Sequence, residues 1–285
     1  MKNIYFENGK NCNIKETSNV KVVSYKNNDE EVKIKNSVSI SGTYYLGRYA
    51  RINSTQYVDK QTGEIKDYNI SDKRAKCSIR KSMKKLDDLI KNNFNGNRNE
   101  IFLTLTYERA EVVFDNAVKD LENFVKKLKK EFQDLEYIAV IENQRVRKSW
   151  HIHLLIKDIK HKILYIHQDE LARIWNKGHV SVSRITDRDI KKNINNALDN
   201  KMSPINKISS YMSKCESKED IPKGKKMYYK SRGIVAPEIR EMTYKEAVDL
   251  MAGDYYLISE KTILVKSCKT DNILKRIKEE KYIKK

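Results

Sequence analysis

The sequence predicts an α+β protein whose central part is an antiparallel sheet with helices on one face. Hydrophobic patterns typical of strands and of helices follow one another between residues 101 and 184 in the order β, α, β, β, α, β. A short polar segment joins the second and third strand-like runs, as in an antiparallel hairpin. This order is that of a split βαβ, or ferredoxin-like, sheet.

The first elements are a helix, a strand and a second helix. After Asp72, apolar residues recur at three- and four-residue spacing with Lys and Arg between them, as in an amphipathic helix. Residues 95–97 (Asn-Gly-Asn) break the chain. Ile101–Tyr107 is rich in β-branched and aromatic residues, which is typical of a strand. Apolar residues spaced from Val118 to Phe132 predict the second helix.

The remaining elements complete the sheet and continue beyond it. In chain order they are strands at Glu136–Glu142 and Trp150–Lys157, a helix at Asp169–Asn176, a strand at His179–Arg184, helical stretches at about 187–200 and 205–216, and a strand at Tyr228–Ser231. Thr104 and Thr106 form a polar face of the first strand, and strand propensity alone accounts for them.

These elements place one domain at residues 72–237, between an N-terminal extension (1–71) and a C-terminal extension (238–285). A chain of 285 residues is long enough for one domain with extensions. The aromatic run Gly42–Tyr49 of the first extension fits a strand or a DNA-contacting arm, and a solvated segment is the alternative. The second extension is predicted to contain a helix near 243–251 and a strand-like run at 261–266.

The charge balance favours a polyanionic partner. Lys and Arg total 58 against 39 Asp and Glu, a formal net charge of +19, and the polar loop carries the basic run Arg145–Lys148. A surplus of this size attracts polyanions and speeds their capture. Membrane surfaces would also attract such a chain, but no stretch approaches the ~20 apolar residues that span a bilayer. Nucleic acid is therefore the expected partner, and a membrane is not.

Cysteine usage and the first residues predict a cytoplasmic protein. Cys12, Cys77, Cys215 and Cys268 lie far apart and show neither zinc-site spacing nor a disulfide framework. Met1–Lys10 is polar and lacks the apolar core of a signal peptide.

The segment Trp150–Ile156 (WHIHLLI) is the most informative for chemistry. Side chains alternate across a strand, so His151 and His153 share one face. The apolar residues between and after them form the core face, and the histidine face is expected to look toward solvent. Two imidazoles side by side can supply two nitrogen ligands to one divalent cation. Edge-strand histidines with no ligand are the alternative.

Glu142 strengthens the metal hypothesis. If residues 143–149 close an antiparallel hairpin, Glu142 lies opposite His151 on the same face, and Ile141 lies opposite Ile152. Two histidines and one carboxylate leave open positions on a metal, and carboxylate, water and phosphate oxygens suit magnesium or manganese. The alternative is that Glu142 pairs with an arginine of the loop.

A tyrosine and a lysine lie further along the chain on a predicted helix. Ile208, Tyr211, Met212 and Cys215 form a stripe at helical spacing, so a core tyrosine is one interpretation. Lys214 lies three residues after Tyr211 and is its neighbour on a helix. An ammonium group there can stabilise a phenolate, whose pKa is ordinarily about 10. A surface lysine is the alternative.

Together these motifs resemble the HUH endonucleases, in particular the rolling-circle replication initiators (Rep proteins) of plasmids and bacteriophages. The segments FLTLTY, HIHLLI and YMSK occur in the order of that family. IAVIENQRVRKSWHIHLLI, WNKGHVSV and YYKSRGI are also similar to Rep proteins of the replication-associated ORF2/gene II type. The resemblance covers about residues 72–237, and the order and spacing of its short motifs make it specific.

The resemblance implies roles for five residues. Metal ligands would be His151 and His153 with Glu142 as the acidic third, the nucleophile would be Tyr211, and Lys214 would accompany it. Lys207 lies four residues before the nucleophile and no second tyrosine occurs in 205–216, so the resemblance points to a single-tyrosine enzyme.

The family's reaction is the site-specific nicking of single-stranded origin DNA, often at a hairpin, with Mg²⁺ or Mn²⁺. The tyrosine becomes a 5′-phosphotyrosine and the free 3′-hydroxyl primes a polymerase; the covalent bond later allows rejoining without ATP. The sequence has no G-x-x-x-x-G-K-[ST] motif, so a host helicase is the expected partner that unwinds DNA.

Four other kinds of protein are alternatives to a replication initiator. A plasmid mobilisation relaxase or an HUH transposase would use the same residues. A non-catalytic DNA-binding protein would use the histidines and Tyr211 structurally. A zinc hydrolase is disfavoured because further ligand motifs are missing.

Overall fold

The structure is a computed structural model of the chain. It describes residues 4–6, 19–25, 31–39, 49–52, 56–67, 71–109, 112–144, 149–186, 203–214, 220–222, 224–266 and 273–284. Four predicted features lie outside the described residues: residues 42–48 of the aromatic run, the basic loop Arg145–Lys148, the helical stretch at 187–200, and Cys215.

Contacts divide the chain into two units. One is Lys76–Ala236, and the other joins Met1–Ala75 to Pro237–Lys285. The predicted domain bounds of 72–237 stay a prediction, and the contacts place the division within a few residues of them.

The described strands and helices alternate along the chain as follows. The strands are β1 (Ile4–Phe6), β2 (Asn19–Ser24), β3 (Glu31–Ser39), β4 (Tyr49–Arg51), β5 (Gln56–Asp59), β6 (Ile65–Asp67), β7 (Glu100–Thr106), β8 (Leu135–Gln144), β9 (Ser149–Asp158), β10 (Val180–Arg184), β11 (Tyr229–Lys230), β12 (Glu238–Thr243), β13 (Tyr255–Lys266) and β14 (Ile273–Lys284). The helices are α1 (Ser71–Asn93), α2 (Phe114–Glu131), α3 (Gln168–Trp175), α4 (Pro204–Met212) and α5 (Tyr244–Met251).

The unit Lys76–Ala236 is built on a five-stranded sheet in the order β10-β7-β9-β8-β11. Each neighbouring pair is antiparallel. The crossover from β7 through α2 to β8 leaves a gap that β9 fills, and β10 joins the outer edge of β7. The α+β class and the split βαβ order are therefore confirmed.

The hairpin of β8 and β9 has the predicted register. Glu142 pairs with His151, and Ile141 pairs with Ile152. Because a shift by one residue would turn every side chain to the other face, this register decides which residues meet.

One face of the sheet packs against α2 and α3. Its strands contribute alternate apolar side chains, and the helices contribute their predicted apolar stripes. The buried contributors include Leu103, Leu105, Ile141, Ile152, Leu154, Leu121, Phe124, Leu128, Leu171 and Trp175. This is the core face predicted from the alternation in β9.

The opposite face is also covered, which differs from the prediction of helices on one face only. Phe102, Ile138, Val140 and Leu155 of the sheet form a second core with α1 and α4. The apolar stripe of α1 packs here, because this face of the strands carries apolar residues beside His153 as well. The expectation that the histidine face looks toward solvent is therefore wrong.

A close backbone approach fixes the turn between α3 and β10. Gly178 has a φ of 150°, and a Cβ atom placed on it would lie 2.3 Å from the carbonyl oxygen of Thr106. The amide of Thr106 donates to the carbonyl of His179, and the amide of Glu108 donates to the carbonyl of Lys177. Only glycine allows this turn to lie against the end of β7.

The second unit contains a six-stranded sheet in the order β1-β13-β14-β3-β2-β12. Val20, Val22, Val32 and Ile34 of this sheet pack with α5 residues Ala247 and Met251. The two segments predicted as separate extensions thus share one sheet, because β2 pairs with β12 and β3 pairs with β14. Such pairing joins residues too distant in sequence for local patterns to reveal.

None of the described helices combines the length and the low polarity that crossing a membrane requires.

Candidate active site

Strand β9 places the two histidines at the centre of the site. His151 lies between Thr106 of β7 and Glu142 of β8, and His153 lies opposite Thr104 of β7. Residues that face one another across neighbouring strands share a face of the sheet. All five side chains therefore project toward the face that α1 and α4 cover.

His153 is the residue on which the polar contacts converge. Its Nδ1 atom lies 3.0 Å from Thr104 Oγ1. Its Nε2 atom lies 3.1 Å from Glu142 Oε2 and 3.2 Å from the Tyr211 hydroxyl. Phe102 stacks parallel to the imidazole with 5.9 Å between ring centroids. The residue is 3% exposed, so these contacts hold the ring in one orientation.

Thr104 decides which ring nitrogen of His153 faces the site. When Nδ1–H donates to Thr104 Oγ1, the lone pair of Nε2 points toward Glu142 and Tyr211. A hydrogen bond on the far ring nitrogen is the usual way in which a metal-binding histidine is oriented. Thr104 is therefore suited to a supporting role.

Helix α4 brings Tyr211 to this face. The helix begins with Pro204 at a position where a missing amide hydrogen costs nothing. Ile205, Ile208 and Met212 are buried in the core with α1 and the sheet. The fully buried Ser209 hydroxyl donates to Asp87 of α1 over 2.6 Å, which fixes the helix in place.

Tyr211 meets His153 edge to face. Their ring centroids are 5.1 Å apart and the rings lie at 82°. Burial raises the pKa of the Tyr211 hydroxyl, and the negative charge of Glu142 and its hydrogen bond with the tyrosine raise that pKa further. The hydroxyl therefore holds its proton more tightly than a free phenol does, and a nearby positive charge would favour the loss of that proton.

Lys214 is the nearest candidate for part of that charge. Its Nζ atom lies 5.1 Å from the centroid of the Tyr211 ring, within the range of a cation–π contact. The predicted helix at 205–216 ends earlier, at Met212, and Lys214 follows it. The lysine therefore reaches the tyrosine from beyond the helix end, over the ring face.

Two other tyrosines compete with Tyr211 for the role of nucleophile. Tyr228 packs against the core on the side of the sheet that carries His153, whereas Tyr229 packs on the opposite side. The two tyrosines therefore point to opposite sides of the sheet. Tyr228 is therefore the rival that a test must include.

The side chains of Glu142, His151 and His153 are of types that bind a divalent cation. Two of the three already lie at a spacing that suits ligands of one ion. Two ligand atoms at about 2.1 Å from a metal and at right angles lie about 3 Å apart, and Glu142 Oε2 and His153 Nε2 are 3.1 Å apart. The His151 ring is further away, with its centroid 6.2 Å from that of His153. Within the described part of the chain, no three His, Cys, Asp or Glu side chains are already gathered as a metal site. The metal therefore remains a proposal.

The structure adds residues for which the sequence suggested no function. Thr104 was visible only as part of an alternating strand, and its contact with His153 depends on the pairing of β7 with β9. Asp87 and Ser209 were visible only as members of two helices. The 3.6-residue period places them on helix faces but does not say which helices meet.

Comparison with known proteins gives a family match for the segment that contains the site. No curated protein and no solved structure matches the chain. Residues 100–216 match the family model of the replication-associated protein ORF2/gene II protein, a span that contains β7 to α4 and all five predicted site residues. Over these residues the chain is similar to the replication-associated ORF2/gene II proteins, a similarity consistent with a Rep-type replication initiator.

Proposed function

We propose that the chain is a rolling-circle replication initiator that nicks and rejoins single-stranded origin DNA as an HUH endonuclease. Tyr211 is the nucleophile, accompanied by Lys214. Glu142, His151 and His153 hold Mg²⁺ or Mn²⁺. The match of residues 100–216 to the ORF2/gene II family supports a role in replication.

The proposal depends on one observation, which is that the side chains of Glu142 and Tyr211 both lie next to the Nε2 atom of His153. Glu142 and the Tyr211 hydroxyl both lie within 3.2 Å of His153 Nε2. Tyr211 and His153 are 58 residues apart in sequence. The sequence alone singles out each of the three for its chemistry, so their convergence supports a common reaction.

The reaction requires Tyr211 to lose a proton and attack phosphorus. The Tyr211 oxygen forms a bond to the phosphorus while the bond to the 3′-oxygen breaks, and that oxygen leaves as a 3′-hydroxyl after taking up a proton. Glu142 is hydrogen-bonded to the tyrosine hydroxyl, and its carboxylate can accept the proton while the single lone pair of His153 Nε2 is kept for the metal. A divalent cation held by the two histidines and Glu142 would withdraw charge from the phosphate.

The remaining contacts orient the nucleophile. The imidazole of His153 packs edge-on against the Tyr211 ring and restricts its rotation. Ser209 and Asp87 hold α4 against α1, which keeps the tyrosine over the histidines. Positioning of this kind accounts for a large part of the rate in reactions between bound groups.

The proposal assigns partners as well as a reaction. The substrate is a single-stranded origin, often part of a DNA hairpin, and the 3′-hydroxyl it releases serves a host polymerase. A host helicase unwinds the nicked duplex. A plasmid relaxase or an HUH transposase would use the same site, and the replication family match favours the initiator.

Covalent trapping tests the enzyme against a non-catalytic DNA-binding protein. The purified protein is incubated with Mn²⁺ and a labelled single strand containing the inverted repeat beside its gene, then separated on a denaturing gel. A labelled band that migrates with the protein is the expected result. Binding without cleavage or adduct would contradict the endonuclease, and cleavage without adduct would indicate a hydrolase.

Binding to single-stranded DNA is expected to weaken steeply with salt. The motive is the net charge of +19. Each phosphate contact releases counterions, so the log–log slope of affinity against salt should be about −0.7 per contact. Fluorescence anisotropy between low and physiological salt measures the slope. An affinity that does not change with salt would contradict this prediction.

Replacement of Thr104 by valine is expected to lower nicking about 10- to 100-fold and leave the fold intact. Such losses are typical when the residue that orients a metal-binding histidine is removed. Valine suits a strand, but it cannot hold His153 Nδ1. Thr104→Ser is the control because it keeps the hydroxyl, and it should restore most of the activity. Equal activity of Thr104→Val and wild type would show that Thr104 does not position His153.

A further inference from the structure

A polar groove lies on the other side of the central sheet from Tyr211. A cavity of about 700 Å³ is bounded by the chain after β7, by the first half of α2 and by the turn after α3. A second cavity of about 260 Å³ shares Asp120, Asn123, Asn176 and Lys177 with it. Because they share these four residues, we call the two cavities together the α2 groove.

The α2 groove carries an excess of cationic side chains. Arg109, Lys119 and Lys177 line the larger cavity, and Lys127 lines the smaller one. Lys177 pairs with Asp120 over 3.1 Å. Arg109 and Lys119 are exposed, so phosphate oxygens in the groove can reach them.

The carboxylates of the groove do not cancel this charge. Asp120 also accepts a hydrogen bond from the Tyr107 hydroxyl over 2.9 Å, so its two oxygens serve Tyr107 and Lys177. Glu108 is the other carboxylate of the described lining. Once the Lys177–Asp120 pair is set aside, the three cations Arg109, Lys119 and Lys127 face one carboxylate, Glu108.

Amide side chains accompany the cations. Asn116 and Asn123 on α2 and Asn176 in the turn face the same depression. Amides both donate and accept hydrogen bonds, so they match the edges of nucleobases. The exposed side chain of Val113 adds an apolar surface beside them. Binding of a nucleotide strand requires cations that contact its phosphates. It also requires amides and an apolar surface that contact its bases, and the groove has both.

The groove begins at the end of β7 that carries Thr106, on the opposite side of the sheet from the candidate active site. Thr106 pairs with His151, and the lining starts at the next residue, Tyr107. Consecutive Cα atoms are about 3.8 Å apart and paired strands about 4.8 Å apart. A DNA strand that leaves the histidines and passes around the end of β7 therefore meets the groove on the other side of the sheet.

The wall formed by the turn is fixed before any ligand binds. The side chain of Trp175 donates to the carbonyl oxygen of Thr106 over 3.2 Å. Gly178 places the turn directly on the backbone of β7. A wall held in this way offers its amide and ammonium groups without a cost of ordering.

We propose that the α2 groove binds nucleotides of the single-stranded DNA that flank the cut site. The inference rests on the proposed function, which makes single-stranded DNA the substrate. The groove then contributes to the affinity for the DNA strand together with the catalytic residues.

The groove is tested by measuring the binding of a thymidine oligonucleotide of about 16 nucleotides. The variants used lie outside the candidate active site. The double variant Lys119→Ala, Asn123→Ala should weaken binding about 10- to 100-fold. The magnitude of its log–log salt slope should fall by about 0.7, one phosphate contact. Lys126→Ala is the matched control, because it removes one charge from the same helix outside the groove lining. It should bind within about twofold of wild type.

Photocrosslinking locates the strand directly. Single 4-thiothymidines are placed along the oligonucleotide, and crosslinked peptides are identified by mass spectrometry. Crosslinks within residues 107–127 or 174–177 are expected. Crosslinks only to other parts of the chain, wild-type affinity of the double variant, or no binding of the oligonucleotide would each overturn the proposal.

The two proposals fail separately. If the double variant loses affinity while wild type forms no covalent adduct with origin DNA, the groove stands and the endonuclease is wrong. If wild type forms the adduct and the double variant binds as tightly as wild type, the endonuclease stands and the groove is wrong.

Discussion

A Tyr211→Phe variant is expected to lose covalent attachment to DNA completely while it keeps its fold. The substitution removes the hydroxyl oxygen, which is the atom that attacks phosphorus, and retains the ring that packs against His153. The hydroxyl's contacts with His153, at 3.2 Å, and with Glu142 are both lost, so stability should fall by about 1–3 kcal/mol. The measurement is the yield of labelled adduct with origin DNA and metal on a denaturing gel, together with a thermal unfolding curve.

Peptide mapping decides among the seventeen tyrosines. Digestion of the wild-type adduct should yield a modified peptide that contains Tyr211. Tyr228→Phe, on the same side of the sheet, and Tyr229→Phe, on the opposite side, are the controls and should form the adduct normally. An adduct on Tyr211→Phe, or one that maps to Tyr228 or Tyr229, would refute the assignment and leave the endonuclease in place.

Chelation is expected to abolish nicking, and Mn²⁺ or Mg²⁺ is expected to restore it. Neutralisation of phosphate charge by a metal contributes several kcal/mol to such reactions, so the rate should fall by at least about 100- to 1,000-fold in EDTA. Single-turnover cleavage of the origin strand measures the rate before chelation and after metal is added back. Full activity in chelator would remove the metal from the mechanism.

Metal binding, measured independently of nicking, should depend on Glu142 and His153. Glu142→Gln keeps the shape of the side chain and removes its charge, and it should raise the dissociation constant for Mn²⁺ about 10- to 100-fold in titration calorimetry. His153→Ala should do the same. Because His153 is buried, its replacement leaves a cavity, and circular dichroism must accompany that measurement. His161→Ala is the control, since it removes a largely exposed imidazole outside the site.

Much of the site follows from local sequence patterns. Alternation in the strand puts His151 and His153 on one face, and the short loop before them sets the hairpin register that brings Glu142 opposite His151. Both depend on neighbours in the chain, and the pleat of a strand and the length of a loop are properties of a few residues. The order of strands and helices likewise restricts the sheet to few topologies, one of which the structure adopts.

The position of Tyr211 over His153 depends on the packing of distant elements. The residues are 58 positions apart, and their contact requires α4 to dock on α1 through Ser209 and Asp87. Helical periodicity identified an apolar stripe on each helix, but any apolar surface can cover any other, since the hydrophobic effect has no direction. The same holds for Thr104, whose partner is set by the pairing of β7 with β9.

Alternation in the strands predicted one core, and the fold contains a second on the histidine face. Beyond the polar row of Thr104 and His153, that face carries Phe102 and Leu155, which α1 and α4 cover. A polar residue shows that one face of a strand is polar at that position. It does not show how far along the strand this face stays polar. The two terminal segments also pair in one sheet, although each contains only short strand-like runs. Backbone pairing between such runs is decided when the whole chain closes, because strand propensity depends on the neighbours that packing supplies.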